Sequence, residues 1–225
     1  GSALQFTVTS ADLQVNTTGA AADVNGKIIN PGGVAFTASG VTLSIAGFAT
    51  IQGAFSFSQI ATPGVGGATA TEIQVGATVT TAFLGTNFGT ANPVGVSLTG
   101  GHLGLVLFRS PGAQSTYALV ATADSFSLVG VPGLTLTTDG SVNGSGLSIR
   151  INTTGQAVNF TASANATLPV DVVFTNGTNG TADQRQIMDV EGHVKLVVSD
   201  PNDASSVVAQ LTGDFAFSKS VNPTT

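Results

Sequence analysis

Residues 147–155 read Leu147-Ser148-Ile149-Arg150-Ile151-Asn152-Thr153-Thr154-Gly155. Apolar and polar residues alternate through Ile151, and the run then breaks into a short polar stretch that ends on glycine. Successive side chains of a strand point to opposite faces, so Leu147, Ile149 and Ile151 share a dry face while Ser148 and Arg150 look to water. The next four residues predict a tight turn. The same alternation recurs in Leu4-Gln5-Phe6-Thr7-Val8-Thr9, Val41-Thr42-Leu43-Ser44-Ile45, Ile73-Gln74-Val75 and Val194-Lys195-Leu196. Val, Ile, Thr and Phe are frequent and strong helix formers sparse. Only residues 182–190 have helical character, and strand-like flanks place them with strand or loop.

Turn signals separate these runs. Asn25-Gly26, Asp139-Gly140, Asn176-Gly177 and Asn179-Gly180 favour positive φ. Pro31-Gly32, Pro63-Gly64, Pro111-Gly112 and Pro132-Gly133 mark loops. The expected fold is all-β, mainly antiparallel meanders forming an elongated sandwich, barrel or solenoid-like rod. A right-handed parallel β-helix is the runner-up, and the uneven turn spacing argues against it. Residues 134–162 read as one such meander, with the Asn152–Gly155 turn joining antiparallel neighbours.

Working outward, the opening stretch has a counterpart. Leu13-Gln14-Val15-Asn16-Thr17-Thr18-Gly19 matches Ile149-Arg150-Ile151-Asn152-Thr153-Thr154-Gly155, so that Asn16 answers to Asn152, an offset of 136. Gly40-Val41-Thr42-Leu43-Ser44-Ile45 loosely matches Gly192-His193-Val194-Lys195-Leu196 at 152, and Gly53-Ala54-Phe55-Ser56-Phe57 matches Gly213-Asp214-Phe215-Ala216-Phe217 at 160. The order is kept while the offset grows, so two loop insertions are expected, at residues 176–183 and 200–205. The chain therefore divides into the closing part of one β-repeat unit (residues 1–59), a complete second unit (60–220) and a tail (221–225). The paired phenylalanines should fill a core face of each unit. Gly53 and Gly213 should serve a bulge or a close backbone approach. The leading Gly1-Ser2 reads as a cleavage scar on a piece of a longer chain.

The stretches Leu13 to Ala21, Val129-Gly130-Val131-Pro132-Gly133-Leu134-Thr135-Leu136, Gly104-Leu105-Val106-Leu107 and Gly213-Asp214-Phe215-Ala216-Phe217 resemble tandem repeats of very large bacterial surface or secreted proteins of the adhesin-like kind. That resemblance implies a repeated structural module, extracellular or on the bacterial cell surface, and brings no catalytic residues. Its expected partners are neighbouring repeats of the same chain, with self-association through exposed strand edges.

Composition narrows the chemistry. Charged residues make up 8% of the 225, against roughly 25% in ordinary soluble domains. A net charge of −6 and six scattered basic residues supply no phosphate-tracking stripe for nucleic acid. No apolar run reaches the ~18 residues of a membrane helix, so no membrane insertion is expected. Cysteine is absent, which removes disulfides, thiolate nucleophiles and zinc-thiolate sites together.

The remaining candidate groups are few. His102 and His193 each follow a glycine at a strand start, and would share a metal only if their strands paired. Asp189 and Glu191 should share a strand face, and Asp124 and Asp139 flank another meander. A glycosidase reading of such carboxylates lacks its sugar-stacking partners, since the chain has no Trp and one Tyr. Gly64-Val65-Gly66-Gly67 precedes no helix and so is no phosphate loop. For a metal, Asp200, Asn202 and Asp203 form the candidate calcium loop, because a hard cation needs several oxygens at once. Otherwise no cofactor is expected. The chain reads as a non-catalytic structural spacer, with a ligand-binding β-module contacting carbohydrate, protein or a solid surface as the alternative. Thr pairs such as Thr78/Thr80 on wet strand faces are what a solid surface would meet.

Overall fold

The computed structural model describes residues 4–24, 26–45, 49–63, 69–109, 114–138, 146–163, 169–177 and 183–220. The readings of Gly1-Ser2, of residues 64–67, 111–112, 139–140 and 179–180, and of the tail lie outside them. The described chain is all-β and antiparallel. Its strands are β1 (Leu4–Thr7), β2 (Ser10–Val15), β3 (Ala22–Val24), β4 (Lys27–Ile29), β5 (Val34–Ile45), β6 (Ala49–Pro63), β7 (Thr69–Thr86), β8 (Val94–Arg109), β9 (Thr116–Val129), β10 (Leu134–Thr138), β11 (Leu147–Asn152), β12 (Val158–Ser163), β13 (Pro169–Phe174), β14 (Ile187–Asp200) and β15 (Asp203–Ser220).

Eleven of these strands form one wide sheet. β1 and β2 lie end to end along β5, against its two halves. β5 through β9 follow as a continuous meander. β10 and β11 then lie end to end in the slot between β9 and β14, and β15 closes the order. Every ladder is antiparallel, which removes the parallel β-helix. Among the described residues the edges β1/β2 and β15 do not pair with each other, so the sheet does not close into a barrel.

Register keeps the apolar alternation, but the face of β11 expected to be dry is not the covered one: Ile149 is 36% exposed, while Arg150 and Asn152 share the face of Gly104, Val106, Ala118 and Val120 on which β12 and β13 pack. Leu13, Phe36, Phe57, Val75, Leu105, Leu119, Ile151 and Met188 stand opposite one another in one unbroken row across eight strand positions. A slip of one residue on any strand would turn its member of the row to the other face.

The chain leaves this sheet twice to form short hairpins, β3–β4 and β12–β13. The second lies across β7, β8 and β9. Alternate residues of β13, Val170, Val172 and Phe174, are buried. Val172 and Phe174 meet Val106, Ala118, Val158 and Ile187 in the core. Gly104 makes the seat. A Cβ there would come within 2.6 Å of the Val172 side chain, so only a glycine surface lets the hairpin settle.

This geometry corrects the meander expected over residues 134–162. β11 pairs with β9 and β14, not with β12. The Asn152–Gly155 turn is tight, as the residues predict, but it lifts the chain out of the sheet instead of returning it alongside. The segment with helical character is non-helical at residues 183–186 and strand from Ile187 onward, as its strand-like flanks predict.

Candidate functional site

The two Asn-Thr-Thr-Gly turns are built alike. Asn16 is 3% exposed and Asn152 1%. Asn16 Nδ2 donates to the carbonyls of Ala20 and Ile29, both at 2.8 Å, while its Oδ1 accepts from Thr18 N (2.9 Å) and Thr18 Oγ1 (2.7 Å). Asn152 Nδ2 donates to the carbonyls of Gln156 and Gln184, both at 2.9 Å, and its Oδ1 accepts from Thr154 N (2.9 Å) and Thr154 Oγ1 (2.7 Å). The cause is the change of layer. A chain stepping off a sheet leaves carbonyls with no strand partner, and a buried carbonyl needs a donor. An amide side chain supplies two donors and an acceptor at one point, which Asp or Leu cannot.

The elements around the turns also correspond in order and pairing: β1–β6 against β10–β15. Phe36 faces Phe57 as Val190 faces Phe217, an offset of 154 on one strand and 160 on the other. The loose match at 152 is off by one: Val41 opposes Gly53 and Val194 opposes Gly213, an offset of 153, with a bulge at Ser39-Gly40 absorbing the difference. The additional residues of the second set fall in three places, not two. The β12–β13 hairpin is longer than β3–β4, the stretch between β13 and β14 is longer than that between β4 and β5, and the β14–β15 hairpin is longer than β5–β6. A division at residue 59/60 falls inside β6, which runs on to Pro63.

The corresponding residues differ in their neighbours. Beside the second turn, Thr153 clasps the start of β9: its N–H and Oγ1 both reach the Tyr117 carbonyl (2.8 and 3.0 Å), and Tyr117 N donates to Thr153 Oγ1 at 2.8 Å. Thr17, at the same place in the first turn, is exposed and has no such partner among the described residues. A Cβ on Gly53 would fall against the Thr78 carbonyl of β7, whereas a Cβ on Gly213 would meet nothing within 4 Å. So the close approach expected of both glycines exists at Gly53 alone. The core face expected for Phe215 and Phe217 is not complete: Phe217 is 57% exposed, because among the described residues β15 has a neighbour on one side only.

A crease crosses the sheet. The ladders shift at Ala38/Val41 and Gln52/Gly53 and skip Thr80, Gly100 and Asp124, with Gly40 and Gly100 at φ 58° and 59°. Bulges bend strands, and here they open a groove of about 890 Å3 whose polar lining includes Gln52, Thr78, Thr80, His102 and Asp124.

The metal candidates sit elsewhere. Asp200 and Asp203 are the last ladder pair of the β14–β15 hairpin. Asp200 Oδ1 accepts from Asn202 N at 2.8 Å, and Asp203 Oδ1 accepts from the Ser205 N–H and hydroxyl. Those bonds, the hydroxyl's first, hold the Asp203 carboxyl below its ordinary range. The carboxylates thus shape their own turn, and no cluster of three or more His, Cys, Asp or Glu occurs among the described residues. His102 lies on β8 and His193 on β14, with β9 and β11 between them, so they do not share a site. His193 Nδ1 lies 2.6 Å from Asp214 Oδ1. Asp189 accepts from Ser218, and Asp139 lies outside the described residues. Asp183 is gripped by Arg185 through Nε (3.0 Å) and Nη2 (2.7 Å), which lowers its pKa.

Reading the residues alone misses the clasp at Thr153 and its open counterpart Thr17. The signal for it is slight: Thr stands second in both Asn-Thr-Thr-Gly turns, although only the third-position Thr bonds the asparagine. No helix of the described residues is long and apolar enough to cross a membrane. No family model, curated protein or solved structure matches the chain.

Proposed function

We propose that this chain is a non-catalytic structural module, taken from a tandem series in a large bacterial cell-surface or secreted adhesin-like protein, where it acts as a spacer. The observation that carries the reading is the pair of buried asparagine junctions with matching hydrogen bonds at the matching place in β1–β6 and β10–β15. A second support is Gly213, a glycine with nothing beside it where Gly53 has a strand. Six strand positions separate the β1/β2 slot from the β10/β11 slot, which at about 4.8 Å each is roughly 29 Å of sheet per unit.

The test is a lengthened chain, with residues 61–220 appended after Ser220, which stands where Ile60 does. It should stay folded, and small-angle scattering should report a maximum dimension about 25–30 Å larger per added unit, the sheet spacing above setting the scale. An added unit that leaves the dimension unchanged, or melts in a separate transition, overturns the reading.

The crease groove favours a second reading, a β-module that contacts carbohydrate, protein or a solid surface. Its lining offers hydroxyls, an amide, an imidazole and a carboxylate. Binding of a glycan array or a mineral surface that is lost in the double variant His102→Ala/Asp124→Ala would select it.

A further inference from the structure

We infer that the outer edge of β1 and β2 is a docking edge for one kind of strand, a β9-type strand from a neighbouring copy of this module, in a defined register. The inference rests on the serial-module reading and names what covers the open edge of the first set. The chain itself contains the finished version of this joint. β11 stands in the second set where β2 stands in the first, and its outer edge is filled by β9 with Ile151 opposite Leu119, Ile149 opposite Ala121 and Leu147 opposite Ala123. Carried back through the match of Asn152 to Asn16, Val15 faces a Leu119 equivalent, Leu13 an Ala121 equivalent and Ala11 an Ala123 equivalent.

Three features of the free edge fit that occupant. Its apolar face is barer than the filled one: Leu13 is 64% exposed and its counterpart Ile149 36%. Val15 and Phe6 are exposed with it. β9 presents Tyr117, Leu119 and Ala121 on the matching face. The Thr17 N–H and hydroxyl point to the use that Thr153 makes of the same groups, a clasp on the backbone of a Tyr117 equivalent. Strand addition of this kind takes its affinity from main-chain hydrogen bonds and its register from alternate side chains. An unfilled edge of this length is otherwise an aggregation hazard.

The experiment uses the full chain and a synthetic peptide of residues 116–129, with lysine tails for solubility and N-methyl groups on its outward amides to prevent self-stacking. The chain has no cysteine, so single thiols report position cleanly. Leu13→Cys in the chain should cross-link to Ala121→Cys in the peptide at least tenfold faster than to Leu119→Cys. Val15→Cys should reverse that preference. Thr17→Val should weaken peptide binding about fivefold with an unchanged melting temperature, because its hydroxyl makes no bond within the described residues. No binding, equal cross-linking at both offsets, or indifference to Thr17→Val each overturns the docking edge. A lengthened chain that still grows by one unit while the peptide fails would leave the spacer reading standing and remove only this joint.

Discussion

The first Asn-Thr-Thr-Gly turn and the second make the same hydrogen bonds in different company. Around Asn152 the sheet continues on both sides, a hairpin lies on top, and Arg150 sits 5.0 Å over the Phe174 ring. Around Asn16 the sheet of described residues stops, and Gln14, where the second set has Arg150, keeps a buried Oε1 with no partner among the described residues. The lesson is that local chemistry builds the turn, and the neighbouring strand decides how much of the surface around it is finished.

The largest expected effect tests that separation. Asn152→Ala should cost about 3 kcal/mol, since it removes a fully buried amide and strands two part-buried carbonyls and a backbone N–H beside a packed core. Asn16→Ala loses the same bonds, one of them to the buried Ile29 carbonyl, but among the described residues no β9 strand lies beside its turn and the core cluster lies elsewhere, so about 1–2 kcal/mol is expected. Urea unfolding of the two variants measures both. Equal costs would mean that the hairpin and β9 add nothing to the second junction.

The glycine pair sharpens the comparison at the other edge. Gly53→Ala must push a methyl into the Thr78 carbonyl and should cost about 2–3 kcal/mol, in the range of overpacked sites. Gly213→Ala meets open space and should stay within about 0.5 kcal/mol. In the lengthened chain proposed above, Gly213 acquires a β7-type neighbour, and the same substitution should become as costly as at Gly53. A Gly213→Ala variant that remains neutral there would show that the added unit does not pair with β15.

How much of this is legible in the residues depends on range. Period-two alternation marks the strands, and the matching turns mark the correspondence between the two sets, because both are local patterns. The layer change at Asn152 is not legible. A short polar turn looks the same whether it returns a strand alongside or lifts it off the sheet, and what decides is a seat on a distant strand, at Gly104. The crease is hidden for a similar reason: Gly40, Gly53 and the Gly100-Gly101 pair each look like unrelated strand glycines, and only the ladder puts them in line. Of the candidate groups, Asp200, Asn202 and Asp203 do come together, at the tip of the β14–β15 hairpin. The threonine clasp escapes notice because a strand-rich chain uses threonine everywhere.

A smaller effect concerns acid. The additional residues of the second set carry two carboxyls held below their ordinary range, Asp183 by Arg185 and Asp203 by Ser205. A lowered folded-state pKa adds stability above the unfolded carboxylate value of about 3.9, and that stability is lost as pH falls through the lower folded value. Asp203 is solvent-exposed and Asp183 half-buried beside its arginine, so the loss should be slight and confined to pH below about 4. Asp183→Asn should flatten its share of the decline in a melting series from about pH 6 down to about pH 2.5, a range that brackets the carboxylate titration. A decline that begins near neutrality would have to come from other groups.

The smallest expected effect is calcium. The β14–β15 hairpin is longer than β5–β6: the ladder partners Lys195 and Thr212 stand further apart along the chain than their counterparts Thr42 and Gln52. Its tip places Asp200, Asn202 and Asp203 together, so extra length and oxygen donors coincide. Yet Asp200 spends an oxygen on Asn202 N and Asp203 one on Ser205, bonds that close the turn without an ion. A cation that bound only the folded chain would raise the melting temperature in proportion to the logarithm of its concentration over Kd. With the turn already closed by its own backbone, melting in millimolar calcium and in chelator should coincide within about 1 °C, the scale of a few tenths of a kcal/mol. A rise of several degrees, abolished by Asp203→Asn, would make the longer hairpin a metal site and give the two sets a chemical difference as well as a difference in neighbours.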